Sequence, residues 1–242
     1  YYGSKVSFNP FNENEVFVSC PYYPLFSADK GVSFNRIKTP YTSATEKVTM
    51  FENNDEKHLF YGIDFGYIHK NMTSGEENAH LIVPPNFYTI NARPTFQIDK
   101  NIPGRVFIFE QTFMDYVLSV SDDFGENKMP LINLFFSTFN CIATTPSVAN
   151  TVWFSVTTSA GDLELYKIDF NDLNNVISTP LNVPGAERII EMHIDPDFPE
   201  HIVAATETAM YYTTNGGENW KVSGDGLTGV LYIYSLAQNP LN

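Results

Sequence analysis

Thr213-Thr214-Asn215-Gly216-Gly217-Glu218-Asn219-Trp220 returns in looser form as Ser27-Ala28-Asp29-Lys30-Gly31-Val32-Ser33-Phe34. Each stretch joins a hydroxyl residue, an Asn or Asp two positions on, a glycine and a closing aromatic. Such a tight turn needs positive φ, which Gly216 and Gly217 supply without a Cβ clash. A third copy, Ser121-Asp122-Asp123-Phe124-Gly125, lies midway between the other two, with Lys128 in the place of the aromatic. Halving that spacing predicts a further turn near residue 169, where Lys167-Ile168-Asp169-Phe170-Asn171 supplies an Asp but no glycine. The repeat unit is therefore about 46 residues long.

A second series keeps the same period. Val6-Ser7-Phe8-Asn9-Pro10, Ile142-Ala143-Thr144-Thr145-Pro146, His193-Ile194-Asp195-Pro196 and Leu236-Ala237-Gln238-Asn239-Pro240 each read as an apolar strand ending in a turn. Val48-Thr49-Met50-Phe51 and Thr95-Phe96-Gln97-Ile98-Asp99 are weaker members without the proline. Two markers in fixed phase, with several short strands per unit, predict an all-β protein: a β-propeller of four-stranded blades. Blades are expected at about 4–40, 46–84, 94–131, 139–180 and 188–224, with a further one starting over 231–242. The turn around Thr73-Ser74-Gly75 in the second is degenerate. Five units plus a beginning fit either a piece of a larger propeller or a five-bladed ring whose last strand overlays the first blade. In the last complete unit the strands are expected at Glu191-Met192-His193-Ile194, His201-Ile202-Val203-Ala204-Ala205, Met210-Tyr211-Tyr212-Thr213 and Trp220-Lys221-Val222.

Composition agrees. Of 242 residues, 43% are hydrophobic, with 20 Phe and 14 Tyr, enough for a sizeable β core. No apolar run approaches the roughly 18 residues of a membrane span. The 28 acidic residues outnumber 14 basic ones, and Arg36, Arg93, Arg105 and Arg188 are scattered, so nucleic acid is excluded as an expected partner. The acidity reads first as solubility and second as a ligand face for basic peptides or cations. Cys20 and Cys141 fall in the first and fourth blades and read as buried thiols rather than a disulfide. His58, His69, His80, His193 and His201 show no metal-ligand spacing, and neither metal nor cofactor is expected. Asn71-Met72-Thr73 is a sequon that permits glycosylation at Asn71 in a secreted protein.

The pattern S/T-x-D-x-G-x-x-W/F resembles the Asp-box (BNR-type) repeat of sialidases, xyloglucan-degrading glycosidases, sortilin-type receptors and photosystem assembly factors. The last repeat, with Tyr212-Thr213-Thr214-Asn215-Gly216-Gly217 and Trp220, is most similar to the last three. The resemblance implies that Ser27, Asp29, Gly31, Phe34, Ser121, Asp123, Gly125, Asp169, Thr213, Asn215, Gly217 and Trp220 are structural. It also implies that the boxes lie on the face away from the usual ligand site. Ligand chemistry is then expected on the opposite rim, on loops carrying Tyr22, Tyr23, Tyr41, Asp64, Phe65, Phe87, Tyr88, Phe113, Asp115, Asp162 and Glu207. Acids and aromatics there suit sugars or peptides, although the same residues also serve to stiffen loops. A sialidase needs three convergent arginines with a Tyr/Glu pair, and the scattered arginines do not supply them. The expected function is a noncatalytic interaction module for a protein, peptide or glycan partner, in an extracellular, cell-surface or lumenal setting. Of the named rim residues, Tyr22, Tyr23, Phe65, Tyr88, Phe113 and Asp162 are its candidate ligand contacts. The alternative is a xyloglucanase-like glycoside hydrolase, with Asp64 and Asp115 as the catalytic pair.

Overall fold

A computed structural model of the protein describes residues 6–8, 12–18, 24–37, 48–53, 56–63, 66–81, 95–99, 102–111, 115–135, 137–223, 232–233 and 236. Twenty strands and no helix occur among them, so no helix is long and apolar enough to cross a membrane. The first sheet comprises β1 (Val6–Phe8), β2 (Val16–Val18), β3 (Leu25–Ser27) and β4 (Asn35–Arg36), and the second β5 (Val48–Asn53), β6 (Glu56–Ile63), β7 (Gly66–Asn71) and β8 (Glu77–Leu81). The third holds β9 (Thr95–Ile98), β10 (Val106–Gln111), β11 (Asp115–Ser121) and β12 (Met129–Phe135), and the fourth β13 (Ser137–Ala143), β14 (Thr151–Thr158), β15 (Leu163–Asp169) and β16 (Ile177–Leu181). The fifth holds β17 (Glu191–Ile194), β18 (Ile202–Ala205), β19 (Met210–Thr213) and β20 (Lys221–Ser223), close to the strands expected from sequence. Every sheet is a meander in sequence order. The 1–2 and 3–4 turns of each sheet thus share one end, and the 2–3 loop lies at the other.

Two compact units are formed, Tyr1–Phe113 with Val117–Pro130, and Met114–Tyr116 with Leu131–Asn242. In the first, Phe17, Ile37, Leu59 and Ile68 bury a contact between the first two sheets. Phe60, Phe96, Ile98, Val106 and Ile108 do the same between the second and third, with Phe124 packed against them. In the second unit, Trp153, Leu165, Val183, Ile189, Met192, Ile202 and Tyr211 belong to one buried cluster joining sheets four and five. A contiguous apolar seam between sheets is the term that offsets chain entropy here.

Polar groups enter one seam. His58 on β6 and His69 on β7 are 4% and 8% exposed, and His58 Nδ1 lies 2.9 Å from His69 Nε2. One imidazole donates and the other accepts, which satisfies both buried nitrogens of the pair. Phe124 stacks on both rings at centroid distances of 4.6 Å. Burial pushes the His58 pKa below its ordinary 6.5, and Glu56, whose carboxylate is 3.7 Å from His58 Nε2, opposes that only in part.

Backbone conformation marks the same region. Gly104, in the turn between β9 and β10, has φ +79°, and a Cβ there would stand 2.7 Å from the backbone oxygen of Asp122. Neither the conformation nor the space admits a side chain. Gly104→Ala is therefore expected to destabilise the protein by about 2 kcal/mol or more, read as a lower urea midpoint with an unchanged slope. Because the folded His58 pKa is depressed, its contribution is complete above pH 6.5 and is lost as pH falls below that value toward the folded pKa. The urea midpoint is expected to drop between pH 7 and 5, and His58→Phe to flatten that dependence.

Candidate functional site

The 3–4 turns are built around the side chain that ends each third strand. In three of them it is a hydroxyl: Ser27 and Ser121 are fully buried and Thr213 is nearly so. Ser27 Oγ donates to Asp29 Oδ1 at 2.7 Å and accepts the N–H groups of Asp29 at 3.2 Å and Gly31 at 2.8 Å. Ser121 repeats this with Asp123 and Gly125, and Thr213 with Asn215 and Gly217. One donor and two acceptors exhaust a hydroxyl's capacity, so it is satisfied without water.

The acid position is equally occupied. Asp29 accepts from the Ser33 N–H at 2.8 Å and the Ser33 hydroxyl at 2.5 Å, and Asp123 accepts from the Asn127 N–H and side-chain amide. Hydrogen bonds from Ser33, then Ser27, pull the Asp29 pKa down to about 2. Burial works against Asp123, but the bonds from Asn127 and Ser121 outweigh it and its pKa is also lowered. Asn215 holds the same place uncharged, accepting from Thr213 Oγ1 and the Asn219 N–H.

Two residues of each turn take positive φ: Lys30 and Gly31, Phe124 and Gly125, Gly216 and Gly217. The first of each pair donates its N–H to the 1–2 turn, Lys30 to Asn14, Phe124 to Gly104 and Gly216 to Glu200, at 2.8 to 2.9 Å. Lys30 and Phe124 adopt this conformation without being glycine, at roughly 1–2 kcal/mol each. The fourth turn departs from the 46-residue count by two residues. Asp169 ends β15 in the place of the hydroxyls and accepts from the Asn171 N–H at 3.0 Å and Asn171 Nδ2 at 2.8 Å, so Asn171 stands where the other turns have their acid. A carboxylate can only accept, so the partner becomes an amide donor. The second sheet's turn rests on Asn71, whose Oδ1 accepts the N–H groups of Thr73 and Ser74 while Nδ2 donates to Glu56.

The aromatic that closes the turn packs differently from blade to blade. Trp220 packs against the cluster of sheets four and five, and a Cβ on Gly217 would meet Leu181 Cδ1 at 2.9 Å. Phe34 is instead 42% exposed and lies over its own Gly31. In the third turn Lys128 pairs with Glu110, and Phe124, within the turn, supplies the aromatic.

Of the expected rim residues, Tyr22, Tyr23, Tyr41, Asp64, Phe65, Phe87, Tyr88 and Phe113 lie outside the described residues, as do Cys20 and Arg93, and so does the separation of Asp64 from Asp115. Asp115 is exposed and opens β11. Asp162 is exposed in a turn closed by Thr158, with Gly161 at φ +90°. Glu207 is exposed, 4.0 Å from Arg188, and its backbone oxygen accepts the Ile233 N–H at 2.6 Å. Sequence reasoning did not anticipate a Tyr166 hydroxyl that donates to Glu164 at 2.9 Å, two residues away on β15. Burial, then the Glu164 carboxylate, pushes the Tyr166 pKa up to about 12, away from what a phenolate nucleophile needs. Cys141 is a free, buried thiol, raised to about 12 by burial and then Glu191, and is inert for the same reason. Arg105 is fixed on Asp122 through Nε at 2.6 Å and Nη2 at 2.9 Å. No group of three or more metal-ligating side chains occurs among the described residues.

No protein-family model matches the chain, and no curated protein does. Solved structures are similar in fold. An ancestral GH74 enzyme superposes with a TM-score of 0.62 at 12% identity, covering 90% of this chain and 32% of that one. A gluconolactonase from Xanthomonas campestris gives 0.55 at 11%, covering 87% and 71%. YCF48 from Cyanidioschyzon merolae gives 0.44 at 12%, covering 93% and 85%. The chain is an all-β protein of the β-propeller class, with four-stranded blades. It spans about a third of the GH74 enzyme's length.

The two acids of the turns titrate and the amide does not. Asp29 and Asp123 have depressed folded pKa values, so their stabilisation is present above the unfolded value of 3.8 and is lost as pH falls through the folded one. Asp29→Asn with Asp123→Asn is expected to reduce the acid-induced loss of stability between pH 4 and 2, measured by thermal melts across that range. Blade five, with Asn215, sets the precedent for the substitution.

Proposed function

We propose that this chain is a noncatalytic interaction module of the Asp-box propeller type that presents its 2–3 loop ends to a protein, peptide or glycan partner, in an extracellular, cell-surface or lumenal setting. The observation that carries the reading is the saturation of the box side chains. Ser27, Asp29, Ser121, Asp123, Thr213 and Asn215 spend their hydrogen-bonding capacity inside their own turns. A ligand there would have to break a satisfied network, whereas exposed Asp115, Asp162 and Glu207 stand at the other end. The 2–3 loops are also short. Thr158 is joined to Leu163 by a hydrogen-bonded turn, and only Asp64 and Phe65 separate β6 from β7. Short loops favour a surface that engages a partner over the deep groove of a glycanase.

The test combines a glycan array and a displayed peptide library with a hydrolysis assay on xyloglucan oligosaccharides. Retention on one of the two arrays is expected, with no turnover, and the double variant Asp162→Ala, Glu207→Ala is expected to weaken it by about tenfold while Asp29→Asn leaves it unchanged at neutral pH. Turnover of the oligosaccharides would replace this reading with the hydrolase. Silence on both arrays would end it.

A further inference from the structure

The 3–4 turn of the second sheet departs from the others at the residue that ends its third strand. Ser27, Ser121 and Thr213 spend a hydroxyl inside their turns, whereas β7 ends at Asn71, which opens Asn71-Met72-Thr73, the sole sequon in the sequence. Asn71 Oδ1 accepts the N–H groups of Thr73 at 2.9 Å and Ser74 at 3.0 Å, so the turn closes on the amide oxygen. The amide nitrogen carries two protons, and among the described residues it donates to Glu56 alone, an exposed carboxylate 3.2 Å away. Met72 anchors the centre of the sequon. Its N–H donates to the Lys57 carbonyl at 2.7 Å and its side chain packs against the cluster of Phe17, Ile37, Leu59 and Ile68. On either side of that anchor, Asn71 is half-buried and Thr73 is exposed, as are Ser74, Gly75 and Glu76. Gly75 has φ +82°, and a Cβ there would meet nothing within 4 Å, so open space lies over the turn.

We propose that Asn71 is an N-glycan acceptor and carries an oligosaccharide on the 3–4 end of the second blade. The proposal rests on the extracellular, cell-surface or lumenal setting proposed above, since the co-reactant, an oligosaccharide held on a lipid pyrophosphate, is met in a secretory compartment. In the transfer, Nδ2 forms a bond to the anomeric carbon and the bond from that carbon to the pyrophosphate oxygen breaks. The lipid pyrophosphate departs, and one Nδ2 proton passes to the base of the transferase. Both Oδ1 bonds and the second Nδ2 proton persist in the product, so the turn keeps its closure and its donor to Glu56. A sequon asparagine fits this blade because its turn does not use the hydroxyl on which the boxes of the first, third and fifth sheets depend. The 3–4 turns and the 2–3 loops lie at opposite ends of a four-stranded meander. A bulky, hydrophilic group on Asn71 therefore covers the box end of its blade and leaves the proposed binding end open.

The experiment secretes the full chain from a eukaryotic cell line behind a signal peptide and treats it with a glycan amidase in heavy-oxygen water. A single step in electrophoretic mobility is expected, with Asn71 converted to Asp bearing the heavy oxygen, read by peptide mass spectrometry. Thr73→Ala is expected to abolish the step, although it leaves the Asn71 bonds to the backbone of the turn in place, and Thr73→Ser to retain it. Asn71→Gln also removes the acceptor but loosens the turn, so Thr73→Ala decides. Absence of the step in the secreted wild type, or its persistence in Thr73→Ala, would overturn the proposal. Array retention is compared before and after amidase treatment and is expected to be unchanged; its loss on treatment would overturn the placement of the sugar away from the binding end. If the step is absent while retention persists, the glycan site is refuted and the interaction reading stands. If the step is present and both arrays are silent, the glycan site stands and the interaction reading falls.

Discussion

The structure depends on a hydroxyl that is buried and fully used. At Ser27, Ser121 and Thr213 one oxygen closes a turn by donating once and accepting twice. Removing it would leave two backbone N–H groups without their acceptor and an Asp or Asn oxygen without its hydroxyl donor, which costs more than the bonds are worth singly. The third and fourth residues after the hydroxyl take positive φ, and the N–H of the first of them is directed onto the neighbouring 1–2 turn. A local side-chain bond is thus converted into a tie across one end of the sheet. The fourth blade shows what is required and what is not. Asp169 and Asn171 exchange donor and acceptor roles, glycine is dispensed with, and the left-handed residue moves to Asn150 in the 1–2 turn, where Phe170 donates.

From that tie follows the contact between blades. The turn presents an aromatic to the preceding sheet, but the position supplying it varies. Trp220 follows the last turn, whereas Phe124 projects from inside its own turn onto His58, Phe60 and His69. Phe124 accepts an unfavourable backbone conformation because its ring fills the seam, and aromatic burial of that size exceeds the strain. The histidine pair beneath it makes the seam polar as well as apolar, which gives it a dependence on pH that an aliphatic seam would lack. In the last turn Leu181 against Gly217 performs the same office with aliphatic carbon.

Fold class was legible because turn chemistry and strand phase repeat together, and both survive substitution. The strands of the fifth blade could be read almost residue by residue, since Gly216, Gly217 and Trp220 leave no ambiguity in register. Asp169 could not be placed from spacing. The repeat count assumes blades of equal length, whereas the third strands end at Ser27, Asn71, Ser121, Asp169 and Thr213, which are unevenly spaced. Phe124 was hidden for a related reason: a motif read as consecutive letters assigns the aromatic to one position, while packing only requires that a ring reach the seam. The Glu191, His193 and Leu236 contact joins residues a repeat apart through side chains on one strand, and no local pattern announces it.

The candidate site is less legible than the fold for a physical reason. Box residues face one another within a few positions of sequence, so their chemistry is local and repeats. Residues at the 2–3 ends belong to loops of different length and composition, so no period links Asp115, Asp162 and Glu207. The 3–4 end of the blade therefore carries the recognisable motif. Acidity sharpens this division. With 28 acidic against 14 basic residues, a surplus of carboxylates must be left outside the turns. That surplus gives the chain a formal net charge of −14, which acts on solubility and on encounter rates rather than on the fold.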